Sequence, residues 1–324
     1  MKPEAGFADL EAALRGSPIT AAVVYSGGRE MFSIGDTSSP VKIHSIRKSL
    51  ISALFGRAYD RGVFQLDTTI GAIGIDDTPP LTEREKRATI EDLLTARSGV
   101  YLPLAAPIDG FEWPPRESHA PGAHWHYNNW DFNVLGNIYE RLTHRSVGVA
   151  FDREIALPLG LRDWDVYEHA RYEYRDDPIG GNLRYPNYAF ALSARDLASF
   201  GALYLDHGRH DGVQVISREW LDRSTEPIAR TTFPPGLFGM YGYCWWANGP
   251  HDDGGSGIGG HVYSAVGFAG NYLTVLPEFG TVFAVTTDPS RSSNTGGELL
   301  TDRRYEQAIS ALVSTLREPD RAMS

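Results

Sequence analysis

Patterns typical of β-strands stand at both ends of the chain, with a helical and loop-rich stretch between them. Residues 20–25 and 30–34 are joined by Ser26-Gly27-Gly28-Arg29, a sequence that favours a hairpin turn. The last third carries four more predicted strands, which cover residues 241–246, 262–265, 272–276 and 281–286. We therefore predict an α/β (α+β) fold, in which one antiparallel sheet is assembled from both termini and interrupted by a helical insertion.

Six segments are predicted to be helical, mostly from the spacing of their apolar residues. They cover residues 4–15, 45–59, 89–96, 130–144, 193–207 and 299–317. Ser193 and Asp196 are placed like the start of a capping box. Residues 100–128, rich in Pro, Gly and aromatic side chains, are expected to form a long ordered loop, and such loops are more often functional than idle.

The composition disfavours several classes of partner. The formal net charge of −11 argues against binding to nucleic acid or to an anionic membrane, which attract positive charge. The single cysteine, Cys244, excludes an intramolecular disulfide and a cysteine-based zinc cluster, and it suits a reducing compartment. The first residues lack the apolar core of an export signal, and no run reaches the ~20 apolar residues of a membrane span. We expect a cytoplasmic protein that needs no cofactor.

The first candidate for chemistry is Ser45-Ile46-Arg47-Lys48 at the start of a predicted helix. A three-residue step on a helix brings the amine of Lys48 over the hydroxyl of Ser45, and a desolvated lysine can serve as the base that activates a serine. Ser39-Pro40-Val41-Lys42 has the same spacing, but Pro40 and Val41 place it in a lead-in loop. Taken alone, Ser45 could equally be a helix cap and Lys48 a surface charge.

The second candidate is Tyr127-Asn128-Asn129, which runs straight into the predicted helix at 130. A phenol near the nucleophile can hold or relay a proton if a nearby cation lowers its pKa, and the amide of Asn129 can orient the lysine or the substrate. Tyr185-Pro186-Asn187 has the same spacing in a less suitable context, and either tyrosine could simply be a packed aromatic residue.

These motifs and four further segments together resemble the β-lactamase/penicillin-binding-protein superfamily over nearly the whole chain. Ser45–Lys48 is similar to its S-x-x-K motif and Tyr127–Asn129 to its Y-x-N motif. The further segments, in family order, are 90–99, 132–140, 157–161 and 193–200. The branch with the greatest resemblance contains class C β-lactamases, family VIII esterases, D-aminopeptidases and nylon-oligomer hydrolases.

The resemblance implies a fold and a site. The fold is a β-lactamase-like antiparallel sheet flanked by helices, with a helical and loop-rich inserted lobe. Residues 1–324 then form a single catalytic domain, whose active site lies between a sheet-containing lobe (1–60 and 195–324) and the inserted lobe (61–194). The third family motif, K-T-G or H-x-G, falls at Ala265-Val266-Gly267, and the oxyanion hole is implied to be the backbone N–H groups of Ser45 and Phe268.

Ala265 stands where the family has a cation that helps bind a substrate carboxylate. We therefore expect an uncharged or apolar small-molecule substrate instead of a β-lactam or a D-Ala-D-Ala peptide. His261 could supply a charge nearby, but it is four residues out of register. Trp113, Trp125 and Trp130, with Ala265 and Gly267, are the candidate substrate-binding residues, although aromatic residues in these segments could equally be core packing.

Two other patterns are weaker. His119, His124 and His126 with Asp131 could be drawn as a metal site, but their spacing is not that of a zinc site, so no metal is expected. Residues 255–260 match G-x-G-x-x-G without a preceding strand or a following helix, which disfavours dinucleotide binding.

The sequence thus predicts a serine hydrolase that cleaves an ester or amide through an acyl-enzyme on Ser45. Lys48 and Tyr127 are expected to share the proton transfers, and Asn129 to orient Lys48 or the substrate. Two alternatives stay open: an acyltransferase in small-molecule biosynthesis, and a catalytically idle ligand-binding homologue. The expected partner is a small-molecule ester or amide, with a homodimer left open.

Overall fold

The computed structural model describes residues 5–102, 113–174, 184–231, 238–248, 258, 260–290 and 300–317 of the 324-residue chain. Eight of its strands form one antiparallel sheet. From one edge to the other these are β2 (Arg29–Gly35), β1 (Ala21–Ser26), β13 (Thr281–Thr286), β12 (Asn271–Leu276), β11 (Tyr263–Gly267), β10 (Trp246–Ala247), β9 (Met240–Tyr241) and β8 (Ala229–Arg230). Strand β1 pairs directly with β13, which confirms a sheet assembled from both ends of the chain.

Each of the six predicted helical segments contains a helix. The helices are α1 (Ala8–Leu14), α2 (Arg47–Asp60), α3 (Ile70–Ile73), α4 (Ile90–Leu94), α5 (Asn129–Thr143), α6 (Val147–Phe151), α7 (Leu157–Leu159), α8 (Val166–His169), α9 (Ala194–Leu205), α10 (Arg218–Thr225) and α11 (Asp302–Arg317). Short 3-10 turns cover Ala5–Phe7, His44–Ile46, Glu85–Arg87 and Pro277–Phe279, and a π turn covers Asp152–Ala156. None of the described helices has the length and apolar character needed to cross a membrane.

The main sheet is covered by helices on both faces. Along β1, Ala21 and Val23 pack into the core on the α2 and α9 side, whereas Ala22 and Val24 pack against α1 and α11. Side chains alternate between the faces of a strand, so a strand buried on both faces reads as a continuous apolar run. The sequence Ala21-Ala22-Val23-Val24 has this form, and it places β1 in the interior of the sheet.

Helix α2 is buried on nearly every side, whereas its sequence predicts an amphipathic helix. It contacts α5, α6 and α10 as well as strands β5 and β11. Arg47, Lys48 and Ser49 are all buried, in addition to the apolar positions. Gly56 allows a close approach, because a Cβ there would lie 2.4 Å from the Trp220 side chain. The polar residues of α2 therefore lie inside the protein, where their partners determine their chemistry.

The predicted strand at 241–246 is wrong: the chain forms β9 and β10 with a tight turn between them. Cys244 has a positive φ of 61°, and its N–H donates to the carbonyl oxygens of Leu94 and Gly242. Gly242 N–H in turn donates to Trp245 O. A residue whose N–H bonds to a helix end outside the sheet cannot continue a ladder, so the strand breaks at this point.

Two smaller sheets were not predicted. Strands β3 (Val41–Lys42), β5 (Asn187–Leu192) and β4 (Ala170–Glu173) form a three-stranded sheet, and β6 (Arg209–His210) pairs with β7 (Val213–Gln214). The predicted inserted lobe, 61–194, therefore contains β-structure as well as helices and loops. Strand β3 comes directly before the turn that carries Ser45, so this small sheet also fixes the entry of the chain into α2.

Candidate active site

Ser45 lies in the one-turn 3-10 helix His44–Ile46, which continues directly into α2. His44 adopts a positive φ of 50°, an uncommon conformation for a residue other than glycine. Neither this turn nor α2 has a side-chain cap, so Ser45 does not act as the helix cap considered for it. Its side chain is half-buried and contacts Lys48.

Lys48 joins the two motifs. Its Nζ lies 2.6 Å from Ser45 Oγ and 2.6 Å from Tyr127 Oη. The side chain is only 2% exposed, and Nζ also lies 4.4 Å from the centroid of the Tyr127 ring. A hydroxyl, an amine and a phenol that are far apart in sequence thus meet within hydrogen-bond distance.

Aromatic rings from several parts of the chain surround this group. Tyr127 contacts Phe132 of α5, Trp125 of the preceding loop, and Tyr241 and Trp246 of strands β9 and β10. Apolar rings exclude water, and the loss of hydration disfavours charge on whatever they enclose.

Burial shifts Lys48 and Tyr127 towards their neutral forms. The pKa of Lys48 lies well below its usual value, first because of desolvation and then because of the positive charge of Arg47. The pKa of Tyr127 is raised by burial, which outweighs the opposing effects of its hydrogen bond with Ser45 and the charge of Arg47. The condition that a nearby cation lowers the phenol pKa is therefore not met: the cation is present, but desolvation is the larger effect.

Strand β11 ends next to the Ser45 turn. A Cβ on Gly267 would lie 2.4 Å from Ile43 O and 3.3 Å from the Ile46 side chain, so only glycine allows this approach. Phe268 follows in the turn after β11. Its side chain is 67% exposed, and its ring makes an edge contact with His44, with 5.5 Å between centroids. The predicted oxyanion residues, Ser45 and Phe268, thus belong to two turns that are in contact.

The third-motif residues carry no charge. Ala265 is 1% exposed and belongs to the same core as Ile46 and Leu50, which flank Lys48 in the chain. His261 lies before β11, at the opposite end of the strand from Gly267, and its Nε2 is 2.8 Å from Thr225 O. The described part of β11 therefore offers no positive charge near Ser45.

The two asparagines of the Y-x-N segment have different environments. Asn128 is buried and caps α5: its Oδ1 accepts from Trp130 N–H at 3.0 Å, and its Nδ2 donates to Val100 O at 2.7 Å. Asn129 begins α5 and is half-buried. Both Asn129 and Lys48 belong to the described residues, and no hydrogen bond joins them. An orienting role for Asn129 towards the substrate stays a prediction.

The three candidate tryptophans lie in different surroundings. Trp125 belongs to the aromatic group around Tyr127 and is 4% exposed. Trp113 packs edge-on against His126, with ring centroids 4.9 Å apart. Trp130 is buried and donates from Nε1 to Asp77 Oδ2 at 2.7 Å, so that its polar edge is already used in packing. Trp125 is the tryptophan that the fold places beside the Lys48 group.

The competing motif matches are separate from this group. Ser39 donates to Asp36, and Lys42 pairs with Glu173 of β4. Tyr185 donates from its hydroxyl to Asp76 O at 2.6 Å. Each of these side chains has a local structural partner that accounts for it.

The histidine cluster is a stacking arrangement. His119 and His124 stack with centroids 4.1 Å apart, while Asp131 accepts from Ser98 Oγ at 2.6 Å. Burial raises the pKa of the Asp131 carboxyl well above its usual value. Within the described ranges, no set of three His, Cys, Asp or Glu residues is arranged to hold a metal ion. The Gly255–Gly260 match lies largely outside the described residues.

Sequence reasoning did not identify the buried charge of Arg47. The residue was read only as part of the Ser45–Lys48 motif, yet it is 3% exposed and lies beside Lys48 in α2. The signal that could have revealed it is the unbroken run of apolar and small residues that follows in α2, which is typical of a helix with no exposed face.

Comparisons with known proteins identify a matching family and similar folds. A family model described as Beta-lactamase matches residues 7–306. Among solved structures, the chain is similar to a putative 6-aminohexanoate-dimer hydrolase from Bacillus anthracis, with a TM-score of 0.69 and 18% identity over 96% of this chain and 82% of that one. It is also similar to a class C beta lactamase from Rhodobacter sphaeroides (TM-score 0.66, 19% identity, 97% and 99% covered). A third similar structure is an octameric penicillin-binding protein homologue from Pyrococcus abyssi (TM-score 0.65, 17% identity, 90% and 78% covered). At such identities the structural likeness shows the fold.

Proposed function

The chain belongs to the beta-lactamase family, and from this premise we propose that it is a serine hydrolase that cleaves an ester or amide bond through a covalent acyl-enzyme on Ser45. The observation that carries the proposal is the pair of 2.6 Å contacts that Lys48 Nζ makes with Ser45 Oγ and Tyr127 Oη. Serine becomes an effective nucleophile when a base takes its proton, and a desolvated amine is such a base.

In the acylation step, Ser45 Oγ attacks the carbonyl carbon while its proton passes to the neutral Lys48 amine. The tetrahedral intermediate collapses, the bond to the leaving group breaks, and the leaving group takes a proton from Lys48, with the Tyr127 hydroxyl as the relay. Water then attacks the acyl carbonyl carbon while one of its protons passes to Lys48. The bond to Ser45 Oγ breaks, Oγ takes that proton back, and the acid is released. The raised pKa of Tyr127 favours a phenol that passes protons on over a phenolate that initiates the reaction.

The negative charge on the carbonyl oxygen needs donors that are already in place. We assign these to the backbone N–H groups of Ser45 and Phe268. The contact between Gly267 and Ile43 supports this assignment, because it joins the turns that carry the two groups.

We propose an uncharged, apolar acyl group for the substrate. Ala265 offers no charge to a substrate carboxylate, and the rings of Trp125, Tyr241 and Trp246 make the surroundings of Lys48 apolar. Esters and amides of small apolar acids fit such a site better than substrates whose own carboxylate must be bound by a positive charge.

The test is covalent labelling of Ser45. The protein is treated with p-nitrophenyl esters, a fluorophosphonate, nitrocefin, D-amino-acid amides and linear amide oligomers, and the adduct is located by mass spectrometry. Ser45→Ala should lose both the adduct and turnover. Ser39→Ala should keep both, because Ser39 has the same spacing to a lysine but pairs with Asp36.

Two outcomes would contradict the proposal. An active Ser45→Ala enzyme would exclude Ser45 as the nucleophile. An unlabelled wild-type protein would favour an idle ligand-binding homologue. If an added small alcohol or amine diverts the product from the free acid, the acyl group is transferred as well as hydrolysed.

A further inference from the structure

Arg47 carries a buried guanidinium that forms no ion pair with a carboxylate of the described residues. It is 3% exposed, its Nη2 donates to the neutral amide oxygen of Asn133 at 3.1 Å, and its Nη1 is buried and finds no hydrogen-bond acceptor in the described part of the chain. Buried charges in proteins are normally paired, because an unpaired one is strongly destabilising. Burying Arg47 in this way costs stability, and its surroundings, which include Lys48, suggest a function for its charge.

The side chains of Arg47 and Lys48 both extend from α2 to α5, and the charge of Arg47 acts on Lys48. The two side chains leave α2 at consecutive positions and reach consecutive residues of α5: Lys48 Nζ lies 4.7 Å from the Phe132 ring centroid, and Arg47 bonds to Asn133. A second positive charge in this water-poor space would be repelled, because charges interact strongly where water does not screen them.

Nothing described around this pair offers a compensating negative charge. Glu173 of β4 acts on Arg47 from a distance, but it is already paired with Lys42. The other titratable groups that act on Arg47 or Lys48 belong to the loop before α5, the β9–β10 turn and strand β5. These are Tyr127, Cys244 and Tyr188, to which β9 adds Tyr241, whose pKa the charge of Arg47 also affects. Burial raises the pKa of all four, which favours their neutral forms.

We propose that Arg47 is a positioning residue that acts through Lys48: its uncompensated charge keeps the Lys48 amine unprotonated and thus ready to take the proton of Ser45. The inference rests on the proposed function of Ser45 and Lys48. Desolvation alone would favour a neutral amine, and Arg47 adds to this a repulsion that water cannot screen. The energetic cost of burying Arg47 without a partner is thereby linked to the reactivity of the site.

Two variants test the charge by opposite changes. Arg47→Met removes it, whereas Asn133→Asp retains Arg47 and gives it the carboxylate it lacks. Both should let Lys48 hold its proton to a higher pH. Arg57→Met is the control, because it removes a guanidinium of the same helix that is already paired with Glu154. The readout is the rate of Ser45 labelling by a fluorophosphonate as a function of pH, measured by intact mass.

For wild-type protein the labelling rate should fall only at low pH, where Lys48 is protonated. In Arg47→Met and Asn133→Asp this fall should occur at least about one pH unit higher, with the rate recovering towards the wild-type value at alkaline pH. Arg57→Met should keep the wild-type position. A merely structural role would instead lower the rate at every pH without moving the curve.

Each outcome bears on one claim. If wild-type Ser45 is not labelled at any pH, the proposed function fails and this inference fails with it. If the wild-type protein is labelled and neither curve moves, or the rate drops uniformly, this inference alone is overturned. Should Arg47→Met not fold, Asn133→Asp decides the question, because it retains the guanidinium.

Discussion

Gly267 packs directly against the carbonyl oxygen of Ile43, where an added Cβ would lie only 2.4 Å from that oxygen. The contact joins the end of β11 to the residue before the His44–Ile46 turn. Phe268 follows Gly267 in the chain, and Ser45 lies two residues after Ile43. The spacing between the proposed oxyanion donor and the proposed nucleophile therefore depends on a close contact between backbones.

Gly267→Ala should lower kcat by about 100-fold or more with the fold retained, because small displacements of catalytic groups have effects of this size. The overpacking should also reduce the free energy of unfolding by about 1–3 kcal/mol. Ester turnover and urea denaturation measure the two effects. Gly212→Ala is the control: no described atom lies within 4 Å of an added Cβ there, so any loss of stability comes from its positive φ of 79°, a cost that Gly267 does not have, and kcat should not change. Equal losses of kcat in both variants would contradict this role of Gly267.

Lys48→Ala and Tyr127→Phe should each lower kcat by at least about 100-fold, the usual effect of losing a general base or relay. The two side chains share one proton path through the 2.6 Å contact. The kcat of the double variant should therefore be only slightly lower than that of the less active single variant. Steady-state kinetics on one activated ester and one amide provide the measurement. If the loss of kcat in the double variant equals the product of the two single losses, the two groups act independently.

Tyr185→Phe is the matched control for Tyr127→Phe. Tyr185 has the same Y-x-N spacing, but its hydroxyl donates to Asp76 O at 2.6 Å. We expect a loss of stability of about 1 kcal/mol and little change in kcat. A large fall in kcat for this variant would mean that the contact with Lys48 does not distinguish the proposed catalytic tyrosine from Tyr185.

His126 should make the fold sensitive to acid. Burial, followed by the charges of His124 and His119, lowers the pKa of His126 to about 4. Its ring is 4% exposed and lies edge-on to Trp113 and Tyr101. Because the folded state resists protonation, the contribution of His126 is complete above the unfolded pKa of about 6.5 and is lost as the pH falls towards about 4.

The expected loss over this range is about 3 kcal/mol, and His126→Phe should remove it. Urea denaturation at about pH 7 and about pH 4.5 compares the wild-type protein with the variant. The same substitution at His210, in the short β6–β7 hairpin, controls for the loss of a histidine in itself. An unchanged difference between the two pH values in His126→Phe would contradict the expectation.

The sequence carried enough local information to predict most of the elements. Glycine turns, helix spacing and β-branched runs act over a few residues, so the hairpin of β1 and β2, the helices α2, α5 and α9, and the strands β11 to β13 were correctly predicted. The capping-box-like start of α9 was half right. Ser193 does cap the helix, but the Asp196 carboxylate accepts from the N–H groups of Arg162 and Asp163 instead of from its own helix start.

Other features depended on contacts between distant parts of the chain. The break between β9 and β10 follows from the bond between Cys244 N–H and Leu94 O, which are 150 positions apart. The small sheet that leads into α2 requires β3 to pair with β5, far along the chain. No local sequence pattern predicts which distant residues will pair in this way.

The order and spacing of the motifs, which the sequence alone determined, identified a serine, a lysine and a tyrosine as residues that should meet. The tertiary structure decided the pKa shifts of the lysine and the tyrosine. Desolvation depends on every group that displaces water, and those around Lys48 come from α5, β9, β10 and the neighbouring guanidinium of Arg47. The pKa of the Lys48 amine falls well below its usual value because these distant segments pack around it.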